Sequence, residues 1–189
     1  MRRSGVAHFG VVASGRALTG KDVELAVTAI AGITALPMAA DASFGVLSGD
    51  DLERLKAAGL AFYHHNLETS RAFYPRICTT RTFDDNLAVL GTCRQLGIGV
   101  CSGGLFGLGE TWADRADLAL SLLEAGVFSV PINFLSPIPG TPLADRPVLS
   151  PDEARRIVIL LRFLLPDRHL RICGGRPTVF GPGDAMRAA

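Results

Sequence analysis

The sequence contains no long apolar run; no stretch approaches the ~18 residues that a membrane-spanning helix needs. It also carries almost no net charge. The formal balance is +1 over 189 residues, so electrostatics gives no argument for nucleic acid or an anionic membrane as partner. There is no C-x-x-C pair. The four cysteines, Cys78, Cys93, Cys101 and Cys173, read as reduced thiols or metal ligands rather than a disulfide framework. No G-x-G-x-x-G opens a helix after the first strand, which disfavours a dinucleotide fold. The sequence is 48% hydrophobic, enough for one globular domain with a real core. Met1-Arg2-Arg3 followed by apolar residues loosely mimics a secretion signal. His8 interrupts the apolar part, however, and residues 6–13 read better as a strand.

From there the pattern alternates. Residues 21–36 have helical spacing, with Val23, Val27, Ile30 and Ile33 near one face and Pro37 as the stop. Residues 38–44 read as a second strand. Ser48 caps a helix over 49–58 with Asp50, Asp51 and Glu53 in its first turn, and Gly59 closes it. Residues 60–64 are a third strand. Thr82 caps the next helix, which Gly97 ends. Thr111, with Asp114 at the third helical position, caps another, ended by Gly126. Residues 127–135 form a strand. Ser150-Pro151-Asp152-Glu153 opens an apolar helix that Pro166 stops. Residues 169–174 form a sixth strand, and 177–189 have no periodicity and read as an unstructured tail.

The chain is organised around residues 98–110. An apolar strand runs into Cys101, Ser102 and then four glycines in seven residues, Gly103, Gly104, Gly107 and Gly109. Glycine there permits a turn or a close backbone approach to a ligand. A turn that only reverses the chain explains the glycines as well. A second polar cluster, His65-Asn66-Leu67-Glu68-Thr69-Ser70, follows the third strand. It reads either as a capped turn or as a ligand site, since Asn offers donor and acceptor and Glu paired acceptors for hydroxyls. Asn133 is the one amide in the apolar run 127–135 and needs a partner or a ligand.

About six strands alternating with helices predict an α/β fold with a parallel sheet. Asn66, Cys101, Asn133 and Arg171 each fall in or just beyond a different strand, the habit of a (β/α)8 barrel. Six strands do not close one. The expectation is therefore an incomplete TIM-type barrel over residues 1–176.

Several motifs carry a family resemblance. Tyr63-His64-His65-Asn66-Leu67-Glu68-Thr69-Ser70, Thr79-Thr80-Arg81-Thr82, Val100-Cys101-Ser102-Gly103-Gly104, Gly107-Leu108-Gly109-Glu110-Thr111, Val130-Pro131-Ile132-Asn133 and Gly140-Thr141-Pro142-Leu143 resemble biotin synthase, in the family's order and near its spacing. The similarity covers about residues 5–176. The resemblance implies a radical S-adenosylmethionine (SAM) protein, cytoplasmic, whose family inserts sulfur into dethiobiotin. It implies a four-iron cluster that cleaves SAM to a hydrogen-abstracting radical, and an auxiliary two-iron cluster that supplies sulfur. By the same resemblance Asn66 and Glu68 hold SAM's ribose, with Glu68 standing where Asp is usual. Asn66 and Asn133 face dethiobiotin. Gly103, Gly104 and Gly107 form the loop close to SAM, and Cys101 and Arg171 are auxiliary-cluster ligands. The partner implied is a dethiobiotin-like small molecule, with a homodimer or a completing chain.

The sequence also departs from the family pattern. The C-x-x-x-C-x-x-C loop that holds the four-iron cluster is absent, and the first and last barrel strands are not recognised. Gly10 and Asp41 occupy the other two auxiliary ligand positions, and His8 and His64 stand where arginine and asparagine are usual. Cys78 and Cys173 are expected to be ordinary buried thiols, the alternative being ligands of a rearranged cluster. A non-catalytic subunit that binds SAM-like or biotin-like ligands is the alternative reading. An unrelated α/β binding domain would require the motif matches to be chance.

Overall fold

The computed structural model describes residues 6–181. The chain forms two compact units. The first holds the described residues up to His65 together with Asp84–Cys101, and the second holds Asn66–Phe83 and the described residues from Ser102 onward.

The first unit is built from β1 (His8–Val12), α1 (Lys21–Thr34), β2 (Ala39–Ser43), α2 (Gly49–Ala57), β3 (Leu60–His64), α3 (Phe83–Gln95) from Asp84 onward, and β4 (Gly99–Cys101). The strands pair in the order β1-β2-β3-β4, all parallel. The helices start where capping chemistry allows. Ser48 Oγ accepts the Asp51 N–H at 3.1 Å, with Asp50 and Asp51 in the first turn, where the helix dipole favours acids. Val23, Ala26 and Ile30 of α1 and Leu52 and Leu55 of α2 are buried with Ala40 and Ala42 of β2. Strand alternation leaves Asp41 and Ser43 less buried than Ala40 and Ala42.

The second unit contains β5 (Gly104–Phe106), α4 (Trp112–Glu124), β6 (Ser129–Phe134), α5 (Pro151–Leu164), β7 (His169–Ile172) and α6 (Arg176–Phe180). β6 pairs in parallel with both β5 and β7. It reads as a nearly continuous apolar run because it is covered throughout; only Asn133 is half-buried. Thr111 makes a full capping box with Asp114 at the start of α4, and Ser150 Oγ accepts the Glu153 N–H at 3.2 Å at the start of α5. The apolar faces of the two helices (Leu118, Ala119 and Leu122; Ala154, Ile157 and Leu161) are buried.

Two features differ from the sequence reading. The described residues contain seven strands rather than six, because the glycine-rich stretch supplies one of its own, β5. Residues 177–180 belong to a helix rather than to an unstructured tail. Gly175 turns the chain at φ +72°, Pro177 sits in the first turn, and Phe180 packs edge-on against Phe134 at 5.8 Å. The end of the expected tail, 182–189, lies outside the described residues.

Candidate functional site

The turn after β3 has the most unusual backbone. Glu68 has φ +68° and is the only non-glycine in the left-handed region among the described residues. A side chain there costs of order 1 kcal/mol or more and persists only when the surroundings over-determine it. They do so here. The Leu67 and Glu68 N–H groups both donate to Gly103 O at 3.1 Å, and Glu68 O accepts the Leu105 N–H at 2.8 Å. Leu67 is fully buried beneath the turn. Asn66 Oδ1 accepts the Gly103 N–H at 3.1 Å, and Asn66 Nδ2 donates to Glu68 Oε2 at 3.4 Å. Asn66 and Glu68 are each half-buried. Burial pushes the Glu68 carboxyl above its ordinary range, while the Asn66 amide and the charge of Arg81 pull it back. The result is an oriented, partly desolvated carboxylate beside an amide.

The glycines serve this packing. A Cβ at Gly103 would run into the Pro131 carbonyl, and one at Gly104 would stand 2.5 Å from Leu118 and 2.6 Å from Glu68 O. Their missing side chains let the chain pass between β6 and the Glu68 turn. Gly107 adopts φ +95°, and its N–H donates to both Glu110 carboxylate oxygens at 3.1 Å. Glu110 in turn accepts Arg115 Nε at 2.8 Å, and Arg115 Nη1 reaches Glu153 of α5 at 2.8 Å. Arg115 is buried and lies over the Trp112 ring at 4.5 Å. Sequence reasoning missed Glu110, Arg115 and Glu153 as a unit. The available signal was a cation just inside a helix that begins next to a glutamate.

Asn133 finds the partners its position demands. Its Nδ2 donates to Gly104 O at 3.2 Å and its Oδ1 accepts the Gly174 N–H at 2.9 Å, tying β6 to β5 and to the loop after β7. One donor and one acceptor site remain on the amide. The structure thus groups Asn66, Glu68, Gly103 and Gly104, with Asn133 joined to them through Gly104. Arg171 is exposed on β7, in register with Pro131.

Cys101 belongs to the first unit. Its Sγ lies 3.3 Å from His64 Nδ1, and it is buried. On the same sheet His8 Nδ1 meets Asp41 Oδ1 at 3.2 Å, and the His8 ring packs edge-on to Phe62 at 5.5 Å. Gly10 is the register partner of Asp41. Position 10 offers no donor, and Asp41 is engaged by His8. Among the described residues no three His, Cys, Asp or Glu side chains are placed to hold a metal ion. The donor set here does not fit a cluster held by three thiolates. The 189 residues also contain no C-x-x-x-C-x-x-C for a four-iron cluster.

Two other thiols depart from the expectation of burial. Cys173 is exposed just past the end of β7, and Cys78 is half-exposed in the connection that precedes α3. Partial burial pushes the Cys78 thiol up. The Tyr74 and Thr80 hydroxyls and the Thr80 and Arg81 backbone donors outweigh it and bring its pKa to about 7. Cys93, by contrast, is fully buried, and burial pushes it up to about 12.

Comparison with known proteins places these features. The Radical SAM superfamily matches residues 5–122, and the Biotin and Thiamin Synthesis associated domain matches residues 131–188. The biotin synthase of Trichlorobacter lovleyi is 51% identical over 174 residues, which are 91% of this chain and 52% of that protein. That of Syntrophus aciditrophicus is 45% identical over 92% of this chain and 54% of its own length. The chain therefore spans about half the length of these curated relatives. Among solved structures, the FeFe-hydrogenase maturase HydG from Carboxydothermus hydrogenoformans superposes with a TM-score of 0.72 at 21% identity, over 87% of this chain and 42% of that one. Methylornithine synthase (PylB) gives a TM-score of 0.66 at 20% identity, over 79% and 44%. These likenesses establish the fold class, parallel strands with helices as in the radical SAM barrels. With that superfamily matched over more than half of its residues, the chain belongs to the radical SAM superfamily, and along nearly all of its length it is similar to biotin synthases.

Proposed function

We propose that the Asn66–Glu68 turn and the glycine-rich loop form the SAM ribose site of a biotin-synthase-type protein, whose whole-length activity is sulfur insertion into dethiobiotin. One observation carries this reading: a glutamate is held in the left-handed region with its carboxylate half-buried beside an amide. A solvated turn would use glycine at such a position at no steric cost. Two carboxylate oxygens fixed in one orientation match the vicinal hydroxyls of a ribose, and partial burial strengthens each hydrogen bond relative to water. Asn66 Oδ1 and Nδ2 each keep further capacity for a ligand. Asn133, with its remaining donor and acceptor, suits a planar urea-like group such as the ring of dethiobiotin.

Bound SAM would supply the family's hydrogen-abstracting chemistry. The residues present hold its nucleoside, and no step through an iron–sulfur cluster is assigned to them, since their donor set does not fit one. The 189-residue chain is thus proposed to bind the nucleoside part of SAM without cleaving it. That property also serves the alternative of a non-catalytic subunit that binds SAM-like or biotin-like ligands.

The test is calorimetric titration of the chain with S-adenosylhomocysteine. Saturable binding that weakens about tenfold in Glu68→Ala is expected, the loss of roughly one charge-assisted hydrogen bond. Binding that is equally strong in the variant would remove the ribose assignment.

A further inference from the structure

We infer that Asp114 is a positioning residue for the ribose turn and acts through Ser70. Asp114 stands at the third position of α4 and does the ordinary work of a capping box: its Oδ2 accepts the Thr111 N–H at 2.8 Å and the Thr111 hydroxyl at 2.7 Å. A cap needs only that oxygen. The second, Oδ1, accepts the Ser70 hydroxyl at 2.6 Å, across 44 residues of sequence. Ser70 is fully buried. Its Oγ accepts the Phe73 N–H at 3.0 Å, and its carbonyl accepts the Tyr74 N–H at 2.9 Å. Ser70 therefore closes the segment that starts at Asn66, and its hydroxyl proton has one destination, the Asp114 carboxylate.

The geometry explains how a strained glutamate stays in place. On its amino side the turn is held by Gly103, which bonds Asn66, Leu67 and Glu68. On its other side, two residues after Glu68, it is held by Ser70. Gly103 is backbone that leaves no room for a Cβ beside the Pro131 carbonyl, and Asp114 is a side chain held in the capping box of α4. Glu68, at φ +68°, lies between the two anchors. With Asp114 removed, the carboxyl end of the turn keeps no charged anchor, and the backbone bonds to Gly103 and Leu105 are left to oppose relaxation of Glu68. Asp114 is held below the usual carboxylate range by the Ser70 and Thr111 hydrogen bonds, so it is an acceptor at neutral pH.

The functional meaning of this clamp rests on the ribose reading of Glu68; its structural meaning rests on the hydrogen bonds alone. The experiment separates the two. Amide hydrogen exchange at Leu67 and Glu68 is measured in the unliganded chain, and S-adenosylhomocysteine affinity by calorimetry, for Asp114→Ala, Asp114→Asn, Ser70→Ala, the Asp114→Ala/Ser70→Ala double variant and Ser150→Ala. The last removes the corresponding cap of α5. Asp114→Ala and Ser70→Ala should each speed exchange at Leu67 and Glu68 about tenfold, and the double variant no further. Asp114→Asn keeps an acceptor and should recover most of the protection, and Ser150→Ala should leave the turn unchanged. Unchanged exchange in a folded Asp114→Ala, additive effects in the double variant, or the same acceleration in Ser150→Ala would overturn the proposal. Faster exchange without loss of affinity would leave the clamp standing and remove the ribose reading.

Discussion

The Glu68 turn with its glycine-rich loop and the β1–β4 face of the first unit satisfy their polar groups in different ways. At the turn and loop, side chains reach backbone as well as one another: Asn66 Oδ1 accepts the Gly103 N–H, the Glu110 carboxylate accepts the Gly107 N–H, and the Glu68 main chain bonds Gly103 and Leu105. On the β1–β4 face the polar groups are paired side chain to side chain, His8 with Asp41 and His64 with Cys101. A side chain bonded to backbone, as Asn66 and Glu110 are, is tied to its position, because its loss strands a main-chain donor. Side-chain pairs can be exchanged together without disturbing the strands. On this face β1 and β2 pair in even register through Gly10 and Asp41, and the β2–β3 register shifts between Ala40 and Asp41.

The largest effect should come from Arg115. It is buried and bridges Glu110 and Glu153, so Arg115→Ala leaves the buried Glu110 carboxylate without its cation. A loss of about 3–5 kcal/mol is expected on that account, against less than about 0.5 kcal/mol for Asp41→Ala on the half-exposed His8 pair. Urea denaturation of both variants checks this. Equal losses would erase the contrast between the two regions.

A glycine pair sharpens the same contrast at smaller scale. Alanine at Gly104 meets Leu118 and the Glu68 carbonyl, and should cost about 1–3 kcal/mol of strain. Alanine at Gly10 meets nothing within 4 Å and should be neutral or slightly stabilising. Thermal unfolding of the two variants side by side is sufficient. A tolerated Gly104→Ala would mean that the turn adapts more freely than its hydrogen bonds imply.

The smallest effect is acid-dependent. The folded-state pKa of Asp114 is lowered, so its contribution is complete above the ordinary aspartate value near 3.8 and is lost as pH falls through the lowered folded value. Arg76 is the cation that acts on it from the Tyr74–Arg76 turn. Stability measured below about pH 4 should therefore fall less steeply for Asp114→Asn than for the parent chain. Parallel acid limbs would show that Asp114 is not charged in its clamp.

Most of the fold was legible in the sequence because its punctuation is local. Ser48, Thr111 and Ser150 announce the helix starts, and the structure finds their caps in place. β5 was not legible, since Gly104–Phe106 is a strand by virtue of β6 and the Glu68 turn beside it. The helix at Arg176–Phe180 was missed for a related reason: five residues have no periodicity, and contact with Phe134 rather than propensity fixes them. At the site, Asn66 and Glu68 stood out as polar residues at a strand's end. The left-handed conformation of Glu68 and the reach of Asp114 to Ser70 depend on backbone brought together across long separations, which no local pattern encodes.

The most direct measurement of the central claim compares the affinity of the chain for adenosine with that for 2′,3′-dideoxyadenosine, in the parent and in Glu68→Ala. The account predicts that the parent prefers adenosine by about tenfold or more, because the dideoxy compound strands a desolvated carboxylate, and that Glu68→Ala loses the preference. A parent chain that binds both nucleosides equally, or a variant that still discriminates between them, would contradict it.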